Sequence, residues 1–158
     1  MAEKTLNIEN AHIMFKNFSG KGDQFNRAGD RNFCVRIDDP DFARRLRNEG
    51  WNVKQLRPRD EEDEGTYYIQ VKVSYRVIPP KIYMIAGKSK VLLDEDSANT
   101  LDFAEIRNAD LIITPYNWEI NGKKGVKAYL KTAYITIEQD VFAAKYAEEE
   151  SPSEEVPF

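Results

Sequence analysis

The 158-residue chain has one cysteine, Cys34, and one histidine, His12. A lone cysteine excludes an internal disulfide and fits a reducing compartment. One Cys and one His cannot build a Cys/His metal centre. No apolar run approaches the roughly 18 residues that a membrane span needs, so no membrane partner is expected. The opening "MAEKTLNIEN" lacks the apolar stretch of a secretory signal, so a cytoplasmic location is expected. No P-loop, dinucleotide fingerprint or nucleophile elbow occurs. Neither a cofactor nor an enzymatic activity is expected.

Two acid clusters are present, "DDPD" at 38–41 and "DEDS" at 94–97. Carboxylates so grouped could hold Mg²⁺ in a nuclease. Each also stands where a helix is predicted to begin, and acids complement that end of the helix dipole. The second reading is preferred. His12 sits in a predicted strand without a nucleophile beside it, and nothing around Cys34 favours a reactive thiolate.

Hydrophobic residues make up 41% and charged residues 32%, the balance of one globular domain. The net charge is −4, which argues against a polyanion ligand until its distribution is read. Residues 139–158 hold six acids and one base; the remainder has 22 basic against 21 acidic side chains, about +1. The run "DEEDE" at 60–64 takes five more acids, leaving a body of about +6. Acidity is therefore segregated into two blocks, and the rest can neutralise phosphates.

Periodicity predicts a long first strand over 5–18, with a bulge near Asn10 and Ala11, Ile13 and Phe15 on one parity. A Gly-rich loop (19–30) and a half-buried strand (31–37) follow, the strand alternating Phe33, Val35 and Ile37 against Asn32, Cys34 and Arg36, with Cys34 at half-buried depth. A helix over 38–50 has Asp39 as its cap, Pro40 at its first position and Gly50 at its end. A strand is predicted over 51–59 and a clear one over 66–77, with Tyr67, Ile69, Val71, Val73, Tyr75 and Val77 on one face. A small hairpin turns about Gly87 (81–93), and a helix is predicted over 94–106. Residues 109–138 read as a long hairpin turning at Asn121-Gly122. The tail, 139–158, is expected to be disordered.

Five main strands with a helix before the fourth follow the order of a Greek-key OB-fold barrel, with a helix inserted between strands 2 and 3. The expected organisation is a binding domain over 1–138 and an acidic interaction tail over 139–158.

Single-stranded nucleic acid is held by positive charge along a groove and by aromatic faces on which bases stack. Strand 66–77 offers Tyr68, Lys72 and Arg76 on its polar face, and the last strand offers Lys127, Tyr129 and Lys131. The final hairpin tip adds Lys123 and Lys124. The first loop and its exit add Lys21, Arg27, Arg31 and Arg36. Trp51, Arg57 and Arg59 lie on the inserted segment. Tyr116 and Trp118 share parity with Ile112 and Ile120, so burial is their first reading and base stacking their second. Bases on a solvated strand face also serve solubility, and strand tyrosines also pack across strands. The coincidence of ring and cation on two strands points to binding.

The chain ends "EEVPF". This resembles the C-terminal tip of the single-stranded DNA-binding protein (SSB) family. In those proteins an OB-fold is followed by an acidic tail ending in acids, an apolar residue, Pro and a terminal Phe. Glu154 and Glu155 match the acids, Val156 the apolar residue, and Pro157 and Phe158 the last two positions. A terminal Phe suits an apolar pocket while its carboxylate pairs with a rim cation. The Gly/Gln/Pro-rich linker of bacterial members is missing, and the body is similar to divergent members encoded by phages and prophages. The resemblance implies protection of single-stranded DNA in a bacterial host's cytoplasm. It also implies recruitment of replication, recombination and repair proteins by the tip. Any homo-oligomer is expected to be a dimer rather than a tetramer. A different reading keeps an acidic interaction or inhibitor protein that occupies basic sites on host enzymes. A continuous basic groove would favour DNA; bases dispersed among acids would favour the inhibitor.

Overall fold

The computed structural model describes residues 4–22, 27–56, 65–76 and 79–138. The expected tail, the acidic run 60–64 and residues 57–59 lie outside them. Among the described residues no helix is long and apolar enough to cross a membrane.

The long first strand is two strands, β1 (Leu6–Ile8) and β2 (His12–Asn17). Asn10, at φ 52°, is the break, a left-handed position that asparagine tolerates better than most residues. Its N–H donates to Asp110 Oδ1 at 2.9 Å. A second irregularity between Met14 and Asn17 puts Phe15 at φ 50°. That shift overturns the expected parity: Phe15 is 64% exposed, and Phe18 takes the fully buried place.

β3 (Arg31–Ile37) buries Phe33, Val35 and Ile37 as its alternation predicts. Asn32 and Cys34, on the opposite face and with Cys34 expected at half-buried depth, are buried as well. The strand is flanked on both edges, and Cys34 stands between Met14 of β2 and Gln70 of the next strand in register. Burial pushes the Cys34 thiol pKa up, against a smaller opposing effect of Lys54.

α1 (Pro40–Asn48) has the predicted punctuation. Asp39 accepts from the Asp41 N–H at 2.9 Å, Pro40 opens the helix, and Gly50 follows it at φ 100°. Ala43 and Leu46 form its buried face. β4 (Lys54–Leu56) pairs with β5 (Thr66–Val73). β5 ends at Val73 rather than at 77, and Tyr75 leaves the sheet to lie under the Arg31 guanidinium, 5.3 Å from the ring centre.

β6 (Lys81–Ala86) and β7 (Ser89–Leu93) form the hairpin about Gly87. α2 is only Thr100–Phe103, shorter than expected. The Asp94 carboxylate accepts from the Ser97 N–H at 2.9 Å and the Ser97 hydroxyl at 2.8 Å, and such side-chain bonds favour a turn over a helix. β8 (Ile106–Ile120) and β9 (Lys123–Ile137) are the long final hairpin. Asn121 and Gly122, at φ 52° and 81°, make the turn that their sequence predicts.

One mainly β sheet results, with the path β1-β8-β9-β5-β3-β2. The split of the first strand, the short β4 and the β6–β7 hairpin raise the expected five main strands to nine. The two ends of the path are consecutive in the chain, and the Ala11 N–H between them donates to the Ala109 carbonyl at 2.7 Å. β9 uses one edge twice. It pairs parallel with β5 at Val71↔Ala128 and Lys72↔Tyr129, then parallel with β6 from Lys81↔Thr132 to Ile85↔Thr136. β6 therefore continues the course of β5 along β9.

The core holds Phe18, Phe33, Ile69, Val71, Ile82, Leu111, Ile113 and Ile135. Phe18 and Phe33 stack at 5.3 Å. Leu101 of α2 joins them, and the Asp102 carboxylate fixes that helix by accepting from the Phe18 and Ser19 N–H groups at 2.7 and 2.9 Å.

Candidate nucleic-acid interface

Alternation in β5 buries Ile69, Val71 and Val73 and leaves Tyr68, Gln70 and Lys72 on the outer face. In β9 the same rule buries Val126, Ala128 and Leu130 and turns Lys127 and Tyr129 outward. Lys72 and Tyr129 are direct partners in register. Across the hairpin, Thr114, Tyr116 and Trp118 stand opposite Tyr129, Lys127 and Gly125.

That register corrects the first reading of Tyr116 and Trp118. Leu111 and Ile113 are the buried residues of β8, so positions 112 to 120 of even number face outward. Tyr116 is 56% exposed, and it meets Tyr129 edge to face at 6.0 Å and 81°. Trp118 lies flat over Gly125. A Cβ at that glycine would fall 2.5 to 2.7 Å from Cζ2, Cε2 and Nε1 of the indole, closer than non-bonded atoms approach.

β5 and β9 share only two residue pairs and then part, while β8 and β9 continue as a two-stranded arm. Between β5 and this arm lies a depression of about 60 Å³. Ile69, Val126 and Ala128 floor it, Trp51 and Asn52 wall it, and Gln70, Lys72 and Lys127 rim it. Trp51 is only 4% exposed. It lines the depression with little of its ring open to solvent.

The other candidates fall into separate groups. Lys123 and Lys124 stand at the arm tip and Lys131 at the bulge of β9, all exposed. Lys21 and Arg27 lie on the loop that enters β3 at Arg31, opposite Val73, at the other end of β5. Arg76 is exposed just beyond β5. Arg31 and Arg36 do not stand as free cations. Arg31 pairs with Glu95 at 3.3 Å and donates from Nε to the Phe18 carbonyl at 3.1 Å. Arg36 pairs with Asp38 at 2.8 Å. Arg57 and Arg59 lie outside the described residues.

Sequence reasoning missed Lys54, which stands opposite Tyr68 across β4 and β5. It also missed Tyr83 of β6 and Tyr134 of β9, stacked at 5.0 Å and 9° with Lys90 Nζ 5.2 Å from the Tyr83 ring centre. A signal was present: residues 81–93 contain three lysines and no acid.

The electrostatics of six of the strands are one-sided. β3 to β7 together with β9 carry ten Lys and Arg side chains and no Asp or Glu. Within "DDPD" and "DEDS", Asp38 pairs with Arg36, Asp39 caps the helix, Asp94 binds Ser97 and Glu95 pairs with Arg31. The Ser97 hydrogen bonds hold the Asp94 carboxyl below the usual range. No group of three or more His, Cys, Asp or Glu that could hold a metal occurs among the described residues. His12 is exposed opposite Arg36. Among the described residues the arrangement offers cations for phosphates and ring faces for bases.

Residues 1–156 match the family model described as "Putative phage ssDNA-binding domain". No curated protein matches the chain. Among solved structures, the fold is similar to the single-stranded DNA-binding protein from bacteriophage Enc34 in complex with ssDNA. That likeness has a TM-score of 0.58 at 12% identity, over 86% of this chain and 88% of that one. The same phage protein in another structure aligns with a TM-score of 0.55 at 11% identity, over 86% of this chain and 82% of that one.

Proposed function

The chain belongs to the phage ssDNA-binding domain family, and from that premise we propose that it binds single-stranded DNA along the cleft between β5 and the β8–β9 arm. One observation carries this placement. Lys72 and Lys127 rim an apolar-floored depression beside three outward aromatic side chains, Tyr116, Trp118 and Tyr129. Cations neutralise phosphates and rings stack on bases, each stacked base contributing about 1–3 kcal/mol. Neither contact reads a base edge, so binding is independent of sequence.

The strand order supports reading the body as an OB-fold. β1 with β2, β3, β5, β8 and β9 then serve as its five Greek-key strands, and 1–138 is the binding domain. Residues 139–158 are assigned to an acidic interaction tail. In it Glu154, Glu155, Val156, Pro157 and Phe158 recruit replication, recombination and repair proteins in a bacterial host's cytoplasm. Eight lysines on β4 to β7 and β9, strands that carry no Asp or Glu, favour DNA over the inhibitor reading.

Titration with oligo(dT), followed by Trp fluorescence or gel shift, tests the core of the proposal. Binding should occur at micromolar protein and weaken steeply as salt rises; absence of salt-sensitive binding would overturn it. Deleting 148–158 should keep or tighten binding, because an anionic competitor for the cleft is removed.

A further inference from the structure

Resting on that reading, we propose that the DNA track does not stop at Tyr129. It continues along the outer face of β9 to a second platform built by Tyr134 and Tyr83, with Lys81 and Lys90 beside it.

The face is continuous. Ala133 and Ile135 are buried, so Thr132 and Tyr134 point outward as Tyr129 does, past the bulge at Lys131. β6 occupies the edge of β9 that β5 vacates and brings Tyr83 directly opposite Tyr134. The second platform lies about 13–16 Å along the strand from Tyr129, at roughly 3.3 Å per residue. Tyr134 is 38% exposed, enough to offer its ring to a base.

Charge selects the ligand. The β6–β7 hairpin, residues 81–93, has three lysines and no acid, and Lys131 of β9 stands between the two platforms; Asp110, opposite Tyr134 on β8, accepts from the Asn10 N–H at 2.9 Å. Leu92 and Val91 are also exposed here, which would suit a protein contact. A second copy of this face, however, would set lysine against lysine, whereas a polyanion satisfies all of them.

The experiment uses the full chain and a series of oligo(dT) from about 4 to more than about 16 nucleotides, spanning the site sizes of single OB-folds. Wild-type affinity should keep rising with length after that of Tyr134→Ala has levelled off. On the longest oligomer Tyr134→Ala should lose about 5- to 150-fold, and on the shortest nothing. Tyr134→Phe should restore the loss. The double variant Lys81→Ala/Lys90→Ala, which leaves the aromatic pair in place, should lower the salt slope on long oligomers by about 0.7 per lysine. Tyr129→Ala should weaken all lengths. If Tyr129→Ala weakens every length while the Tyr134 and lysine variants match wild type, the track ends at the cleft and this inference fails alone. If wild type binds no oligomer, the underlying reading fails with it. Equal losses for Tyr134→Ala and Tyr134→Phe, or variants that change self-association in sedimentation but not DNA binding, would also overturn the second platform.

Discussion

At the scale of single residues, Gly125 decides where Trp118 lies. The indole rests where a side chain at 125 would stand. Because the clashing atoms are the far end of a side chain on an exposed arm, Gly125→Ala should swing the ring away rather than unfold the protein. We expect a shifted Trp emission, an unchanged melting temperature and weaker oligo(dT) binding. A carboxylate pair gives a second prediction. The Glu138 carboxyl beside Glu105 pushes the Glu105 pKa up, by a hydrogen bond to the protonated form and by repulsion of the charged one, and the Glu138 N–H donates to the Glu105 carbonyl at 2.7 Å. A raised acid contributes stability that is complete below its unfolded pKa and lost as pH rises through the folded one. At neutral pH the pair repels. Glu138→Gln should therefore raise the melting temperature near neutral pH, with the gain vanishing in acid, as thermal melts across pH would read. Tyr116 and Trp118 show why parity misled at this scale. Leu111, Ile112 and Ile113 are consecutive apolar residues, so alternation alone does not say which face of β8 is inward.

Among elements, the most legible were those whose signals are local. Asp39, Pro40 and Gly50 bound α1, and Asn121-Gly122 places the turn of the arm. That turn needs two left-handed residues in succession, which cost an ordinary residue about 1–2 kcal/mol each. Gly122→Val should therefore fray the arm. Hydrogen exchange should quicken at residues 116–127, while the core amides keep their protection. The less legible elements depend on competition or distance. α2 lost its first turns to the Asp94–Ser97 bonds, and the first strand lost its parity at Phe15. The parallel pairing of β6 with β9 joins residues about fifty positions apart, and no local pattern encodes it. For that reason Tyr83 and Tyr134 went unnoticed as a pair.

For the whole molecule, the useful quantity in the sequence was the placement of charge rather than its sum. A net −4 conceals strands whose bases are almost unmixed with acids; only β8 carries any, Asp110 and Glu119. The cleft itself was only half legible. Tyr68, Lys72, Lys127 and Tyr129 were readable from alternation, whereas the engagement of Arg31 and the burial of Trp51 arise from packing between distant segments. Integrity of the fold rests on β5, at the centre of the path, and on β3 beside it. Phe33 is fully buried, stacked on Phe18 and opposite Val71. Phe33→Ala should cost about 3–5 kcal/mol, a large share of the roughly 5–15 kcal/mol typical of a domain. Urea unfolding should show a lower midpoint with no separate transition for the arm.

The double use of one edge of β9 also fixes an order of events. The β8–β9 hairpin closes across two residues and can form within microseconds. The parallel pairings of β5 and β6 close loops of about fifty residues or more, which is slower. The arm is then the template, and β5 and β6 dock on it in a later step. The cleft is a seam between an early piece and a late one. A nascent chain acquires its binding surface only when β9, near the end of the described residues, has been made.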